Sequence, residues 1–217
     1  PRPGRKLHAR SVPLAGVLIV PTILAFCVAD RAWLVLAAIV IAAATGFDDD
    51  RRKEHAGQLD DGGLDWRIKA VGLAISSGLI AYTAADPLAE PWFFAAAFCL
   101  TFVLTNAVNF LDNADGVAAS LAGSSLLCLG YGAPTQSWVP AAGFAALGFL
   151  PWNWPRPRLF LGDGGAYLLG FWIGELLILL VARNPQVSPW FTLLLCCYPV
   201  CEMIFSIYRR VFFRRSH

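Results

Sequence analysis

The sequence predicts an all-α protein: a polytopic bundle of about eight transmembrane helices, forming one integral membrane domain over residues 1–217. Three observations predict it. Hydrophobic residues make up 57% of the chain and charged residues 15%, where soluble domains carry about 45–50% and 25%. Mean hydropathy is +0.58. The apolar residues also fall in runs close to the roughly 17–25 that a helix needs to cross a bilayer, and no two-residue alternation supports a barrel.

The expected spans are 12–29, 32–47, 68–84, 91–108, 117–131, 138–150, 166–181 and 189–208. Several are short or broken by Gly and Pro, which bundles tolerate when neighbours satisfy the backbone. Basic residues 1–11 precede the first span. The second runs straight into Asp48, Asp49 and Asp50, and the third follows Trp66-Arg67. The fourth and fifth flank a polar stretch at 109–116, and the sixth and seventh flank 151–165. The eighth ends in the basic run 209–217. With the N-terminus inside, the inward connections (about 1–11, 48–67, 109–116, 151–165 and 209–217) collect nearly all Lys and Arg. The outward ones hold only Arg31 and Arg183. The positive-inside rule therefore puts both ends in the cytoplasm. The short outward links carry Pro, Asn and Ser, which is turn chemistry.

The six cysteines lie in or beside apolar runs without a Cys-x-x-Cys pair or a His-rich set, and read as small buried residues. The chemistry lies in the carboxylates. Asn106, Asn109, Asp112 and Asp115 recur every third residue. On a helix the first three share a drifting face, and Asp112 and Asp115 sit one turn apart and repel. A cation between them would remove that cost, and a plain polar loop is the alternative. Asp48, Asp49 and Asp50 end a hydrophobic helix, where negative charge opposes the macrodipole. They need Arg51, Arg52 and Lys53, a bound cation, or both; a solvated charge cluster is the alternative. Asp60, Asp61 and Asp65 around Gly62-Gly63 read as an ordinary exposed loop.

Asp163 sits between Gly162 and Gly164-Gly165, just ahead of a helix. Such a turn suits phosphate, and an Asp there tolerates phosphate only if a divalent cation bridges them. Arg156 and Arg158 either reach phosphate or mark the inner face. Asn153, between two Trp residues, faces a planar group or simply accompanies an aromatic belt. Arg5, Lys6 and His8 meet either lipid headgroups or a substrate phosphate. Glu175 is an intramembrane carboxylate expected to face the bundle interior. Oxygen donors without Cys or His clusters suit a hard cation, Mg²⁺ or Mn²⁺. Acids and bases gathered at one membrane face suit a phosphorylated soluble substrate meeting a lipid one, with no nucleic acid involved. A Mg²⁺-dependent phosphotransferase is the class these residues suggest.

At these stretches the chain resembles the polyprenyl-phosphate N-acetylhexosamine-1-phosphate transferase family, the WecA and MraY relatives. The family's Asn-x-x-Asn-x-x-Asp-x-x-Asp-Gly motif falls on Asn106, Asn109, Asp112, Asp115 and Gly116. Its Phe-Met-Gly-Asp-x-Gly-Ser motif falls on residues 160–166, with Leu161 for Met and Ala166 for Ser. Its Asp-Asp pair falls on Asp49 and Asp50, its Gly-Phe-Leu-x-x-Asn lead-in on residues 148–153, and its Arg-Lys-x-His on residues 5–8. Asn113 stands where a Gly is usual, and Ser11 and Val17 replace a Pro and a Gly.

The resemblance implies transfer of sugar-1-phosphate from UDP-N-acetylhexosamine to undecaprenyl phosphate, releasing UMP, at the cytoplasmic face of the bacterial inner membrane. It implies Asp49 and Asp50 at the lipid phosphate, with Asp112 and Asp115 also catalytic. The metal would sit on Asp163, with Asp112 sharing it. Asn106, Asn109, Asn153, Arg5, Lys6, His8 and Arg156 would bind substrate. Trp-Asn-Trp-Pro at 152–155 looks closer to the O-antigen-initiating branch than to the muramyl-pentapeptide branch. The family also carries a helix ahead of Arg5 and a His-rich loop after the last span, so the chain is expected to be the middle of a longer enzyme; a homodimer is left open.

Two rival readings differ in what they require. A transporter or channel needs charges at mid-membrane depth in several helices, and only Glu175 qualifies. A CDP-alcohol-type phosphotransferase needs Arg after Asp-Gly-x-x-Ala and two further acids, and here Ser120 follows Ala119.

Overall fold

A computed structural model describes residues 33–55, 63–85, 88, 90–132, 139–184 and 186–213. Seven helices lie in that range: α1 Trp33–His55, α2 Trp66–Ala84, α3 Pro91–Leu111, α4 Val117–Gly132, α5 Val139–Asn153, α6 Gly162–Arg183 and α7 Pro189–Phe213. They coincide with seven of the eight expected spans. The expected span at 12–29 and the residues Arg5, Lys6 and His8 lie outside the described residues. By length and composition three helices suffice to cross a membrane, namely 91–111, 162–183 and 190–213, while 117–131 is apolar but shorter. The described part is thus a helical membrane bundle, and the count of eight crossings is not reached.

Helix α6 is the axis of the bundle: 83% of its apolar window is buried. It packs on α1, α3 and α4, while α3 also meets α2 and α7, and α4 pairs with α5. Small residues set the closeness of these contacts. A Cβ on Gly170 would lie 2.8 Å from Thr105 Cα, and one on Gly174 would lie 3.2 Å from Thr101 Cα. Lipid offers helices no hydrophobic drive to associate, so close backbone approach at small residues supplies the van der Waals contact instead. The hydroxyls of buried Thr101 and Thr105 donate back to Ala97 O and Thr101 O, at 2.9 and 2.7 Å. That satisfies both polar groups within the helix.

Glu175 is buried on α6, facing inward as an intramembrane carboxylate should. Among the described residues the other buried charges are Asp49 and Asp50, both beyond the apolar part of α1. One acid at mid-depth does not make a transport pathway. By contrast α7 turns Trp190, Leu194, Tyr198, Ile204 and Phe212 outward, as a helix facing hydrocarbon does.

Helix alternation brings the polar stretches to one end. The last turns of α1, α3, α5 and α7 and the first turns of α2, α4 and α6 all lie there, and contacts join them. Lys69 reaches Asp49, Asn153 reaches Gly116, and the Arg210 guanidinium lies 4.9 Å from the centre of the Phe110 ring.

Candidate active site

Helix α1 outruns its apolar part by two turns and carries Asp48, Asp49 and Asp50 with it. Each acid has a different partner. Asp48 pairs with Arg52 at 2.9 Å on the exposed side, a contact worth little. Asp49 is fully buried and accepts from the Leu64 amide at 2.6 Å. Its second oxygen meets Lys53 Nζ at 2.6 Å and Lys69 Nζ at 2.9 Å. Asp50 accepts the amides of Asp163 and Gly164, each at 3.1 Å. It therefore caps α6 from another helix, where the local N-cap residue, Leu161, has no side-chain cap to give. The acids do not end α1 as the sequence suggests, because the helix continues to His55; Asp50 instead places its negative charge at the start of α6, where it is favourable.

This capping is possible because the two helices touch backbone to backbone. A Cβ on Gly46 would lie 2.5 Å from both Gly164 Cα and Gly164 N. No other residue fits there.

The Asp163 carboxylate lies 2.9 Å from Lys53 Nζ and 3.9 Å from Lys69 Nζ, and is within hydrogen-bond reach of the Asp49 carboxyl. Two carboxylates from different helices thus converge on one ammonium group. Burial acts to raise the Asp49 carboxyl, but hydrogen bonds with Asp163, Lys53 and Lys69 outweigh it and hold the group well below the usual carboxylate range. Burial pushes the Asp50 carboxyl up, against the two amides that favour its ionised form. Asp49 is therefore a fixed negative charge at neutral pH.

The Asn106–Gly116 stretch is not one helical face. Helix α3 ends at Leu111, Asp112 is its C-cap, and Gly116 turns the chain at φ +79°. Asp112 and Asp115 therefore sit on a turn, not one above the other on a helix as the spacing predicts. A C-cap that starts a turn breaks the three-residue period at its third member. The Asn106 carboxamide donates back to Phe102 O at 2.8 Å, and Asn109, in the last turn of α3, is half-buried.

Asn153, expected at the substrate, is buried and engaged by backbone at both ends. Its Oδ1 accepts from Gly116 N at 2.6 Å and its Nδ2 donates to Leu159 O at 2.9 Å. It ties the turn after α3 to the connection before α6. The flanking Trp152 and Trp154 are exposed. Gly116 seals the joint, since a Cβ there would lie 2.8 Å from Trp154 Cβ. Asn153→Ala is expected to cost about 1–3 kcal/mol, the penalty for a buried amide left without its acceptor. A lowered thermal midpoint in detergent would show it.

The structure thus brings Asp49, Asp50 and Asp163 together around Lys53 and Lys69. Arg156 is exposed on the 154–161 connection. The sequence does not single out Lys69 or the Gly63-Leu64 segment, and presents Lys53 only as a counter-charge. Residues 63–65, where description of that stretch begins, do not read as an ordinary exposed loop: Leu64 N bonds Asp49, and a Cβ on Gly63 would lie 2.7 Å from Asp49 Oδ1. One local signal was available there. Asp65 N-caps α2, accepting from Arg67 N at 2.7 Å, and that cap fixes where Lys69 emerges.

The family model described as Glycosyl transferase family 4 matches residues 32–181. The chain is 28% identical over 220 aligned positions to an undecaprenyl-phosphate alpha-N-acetylglucosaminyl 1-phosphate transferase of Thermotoga maritima, covering 98% of this chain and 66% of that protein. It is 30% identical over 190 positions to a phospho-N-acetylmuramoyl-pentapeptide-transferase of Chloroherpeton thalassium, covering 68% of this chain and 51% of that protein. A decaprenyl-phosphate N-acetylglucosaminephosphotransferase of Mycolicibacterium smegmatis is 37% identical over 90 positions, 35% of this chain and 22% of its own length. The chain spans between half and two thirds of the first two relatives.

Proposed function

The chain belongs to glycosyl transferase family 4, and on that basis we propose that it transfers N-acetylhexosamine-1-phosphate from a UDP-sugar to a polyprenyl phosphate such as undecaprenyl phosphate. UMP is released, and the product initiates synthesis of a cell-envelope polysaccharide at the cytoplasmic face of a bacterial plasma membrane. The observation that carries the reading is the meeting of Asp49, Asp50, Asp163, Lys53 and Lys69 at one end of an apolar bundle. A site there serves a lipid substrate and a soluble one together. The names of the Thermotoga and Mycolicibacterium relatives fit this class of reaction.

In the reaction, an oxygen of the polyprenyl phosphate attacks the sugar-bearing phosphorus of the donor. The bond from that phosphorus to the bridging oxygen breaks, and the bridging oxygen leaves on UMP. Such transfer depends on positioning and charge neutralisation. Asp49, held ionised by two lysines, orients those ammonium groups toward phosphate. The acceptor phosphate has a second pKa near 6, so it is already largely ionised at neutral pH and needs little help from a base. Asp50 fixes Asp163 by holding the start of α6. Asn109, Asp112 and Asp115 hold the nucleotide-sugar.

Asp163, with Asp112 sharing the ion, would hold Mg²⁺ or Mn²⁺, which when bound supplies positive charge to the donor diphosphate. Supporting this are the all-oxygen donors and the positive charge of the Lys53 ammonium that Asp49 and Asp163 already face. Among the described residues no three of His, Cys, Asp or Glu could enclose a metal by themselves. That fits Mg²⁺, which usually takes one or two carboxylates and completes its shell with water and substrate phosphate.

The test is direct. Purified protein with undecaprenyl phosphate and radiolabelled UDP-N-acetylglucosamine should put label into lipid and release UMP. EDTA should stop both, and Mg²⁺ should restore them. If no UDP-N-acetylhexosamine supports transfer and UMP does not bind, the reading fails.

A further inference from the structure

We propose that Lys53 is a built-in competitor for the divalent cation: its ammonium holds the Asp163 oxygen that the ion would take, so the ion binds tightly only when a donor diphosphate draws Lys53 away. The inference rests on the transferase reading and deepens it, because it couples the entry of metal to the entry of donor.

The two lysines of the site are not equivalent. Lys69 Nζ lies 2.9 Å from Asp49 Oδ2 but 3.9 Å from Asp163 Oδ2, and its side chain is 22% exposed. It stands in the first turn of α2, whose start Asp65 caps, so it belongs to Asp49. Lys53 Nζ lies 2.6 Å from Asp49 Oδ2 and 2.9 Å from Asp163 Oδ2, and its side chain is 44% exposed. If Lys53 swings out, buried Asp49 keeps Lys69 and the Leu64 amide. What the movement uncovers is the Asp163 carboxylate.

Lys53 and a divalent ion therefore claim one oxygen. An ion about 2.1 Å from Asp163 Oδ2 would stand within about 5 Å of an ammonium 2.9 Å from that oxygen, where like charges repel strongly. A nucleoside diphosphate removes the conflict. Its oxygens accept from Lys53 while they complete the ion's shell, and a flexible, half-exposed lysine has the reach to follow them. Metal and donor then tighten each other by the same factor.

Mn²⁺ binding to the purified protein, followed by the electron paramagnetic resonance of the free ion, tests this without turnover. In Lys53→Met the affinity for Mn²⁺ alone should rise about tenfold, and the tightening by UDP-N-acetylglucosamine, given without polyprenyl phosphate, should shrink by a similar factor. Lys53→Gln keeps a hydrogen-bond donor for Asp49 and should behave alike, which covers the case in which the methionine form does not fold. Lys69→Met should raise Mn²⁺ affinity less. Unchanged or weaker Mn²⁺ binding in the folded Lys53 variants, alongside a wild type that binds Mn²⁺ with the donor, would overturn this inference and leave the transferase reading intact. Equal gains in Lys53→Met and Lys69→Met would also overturn it, because net charge and not the place of Lys53 would then set the affinity. A wild type that binds neither Mn²⁺ nor UMP and transfers no sugar phosphate would overturn the transferase reading, and this inference with it.

Discussion

Replacing Asp163 by Asn is expected to lower transfer by about 10²–10³-fold, the scale on which loss of one preorganised electrostatic group is felt, while the bundle still folds. The substitution keeps the size of the side chain and its capacity to hydrogen-bond, and removes only the charge. The backbone amide that Asp50 accepts is untouched, so the start of α6 stays in place. What is lost is one of two carboxylates facing Lys53. Without it, Lys53 and Lys69 face the Asp49 carboxylate alone, and the carboxylate proposed to hold the divalent ion is gone. UMP binding measured without metal should be close to wild type, whereas the tightening produced by Mg²⁺ should disappear. If Asp163→Asn keeps more than about a tenth of its activity with an unaltered Mg²⁺ dependence, Asp163 is not the metal carboxylate and the ion, if any, is held elsewhere.

The sequence shows the helices well because each is a run of apolar residues between polar breaks, and lipid demands such runs. It shows the acids well for the opposite reason: a carboxylate in so apolar a chain stands out. What it hides is the pairing of those acids. Asp50 caps α6 from 112 residues away in the chain, counting to Gly162, so no local capping residue announces that α6 begins at Gly162 and not at 166. The Leu64 amide and Lys69 reach Asp49 in the same way, and an amide carries no signal in a sequence at all. Asn153 misleads for a related reason. A carboxamide between two tryptophans looks as if it should face a ligand, but the tryptophans point outward and the carboxamide holds backbone. The regular spacing from Asn106 to Asp115 is visible, but its end is not, because Gly116 at φ +79° turns a helical period into a loop. Lone acids are legible; their partners across helices are not.

Gly46→Ala should therefore damage function without touching a single polar group. The added methyl would lie 2.5 Å from the Gly164 backbone, and neither atom it meets belongs to a side chain that can turn away. The helices must separate, which costs about 1–3 kcal/mol as overpacking. Separation by a few tenths of an ångström lengthens both bonds from Asp50 to α6, now 3.1 Å, and moves Asp49 away from Asp163. A misplacement approaching an ångström lowers turnover about 10²-fold, so kcat should drop more than thermal stability suggests. Two other glycines calibrate the result. A Cβ on Gly164 itself would lie 3.3 Å from Phe47 N, a contact that a small shift relieves, and one on Gly78 would have nothing within 4 Å. Gly164→Ala should be milder than Gly46→Ala, and Gly78→Ala should gain roughly 0.5–1 kcal/mol from helix propensity. If kcat and midpoint fall together in all three, or in none, the Gly46–Gly164 contact is not what sets the distance between Asp49 and Asp163. If only Gly46→Ala loses turnover out of proportion to stability, the spacing of two backbones is what makes two distant acids a single site.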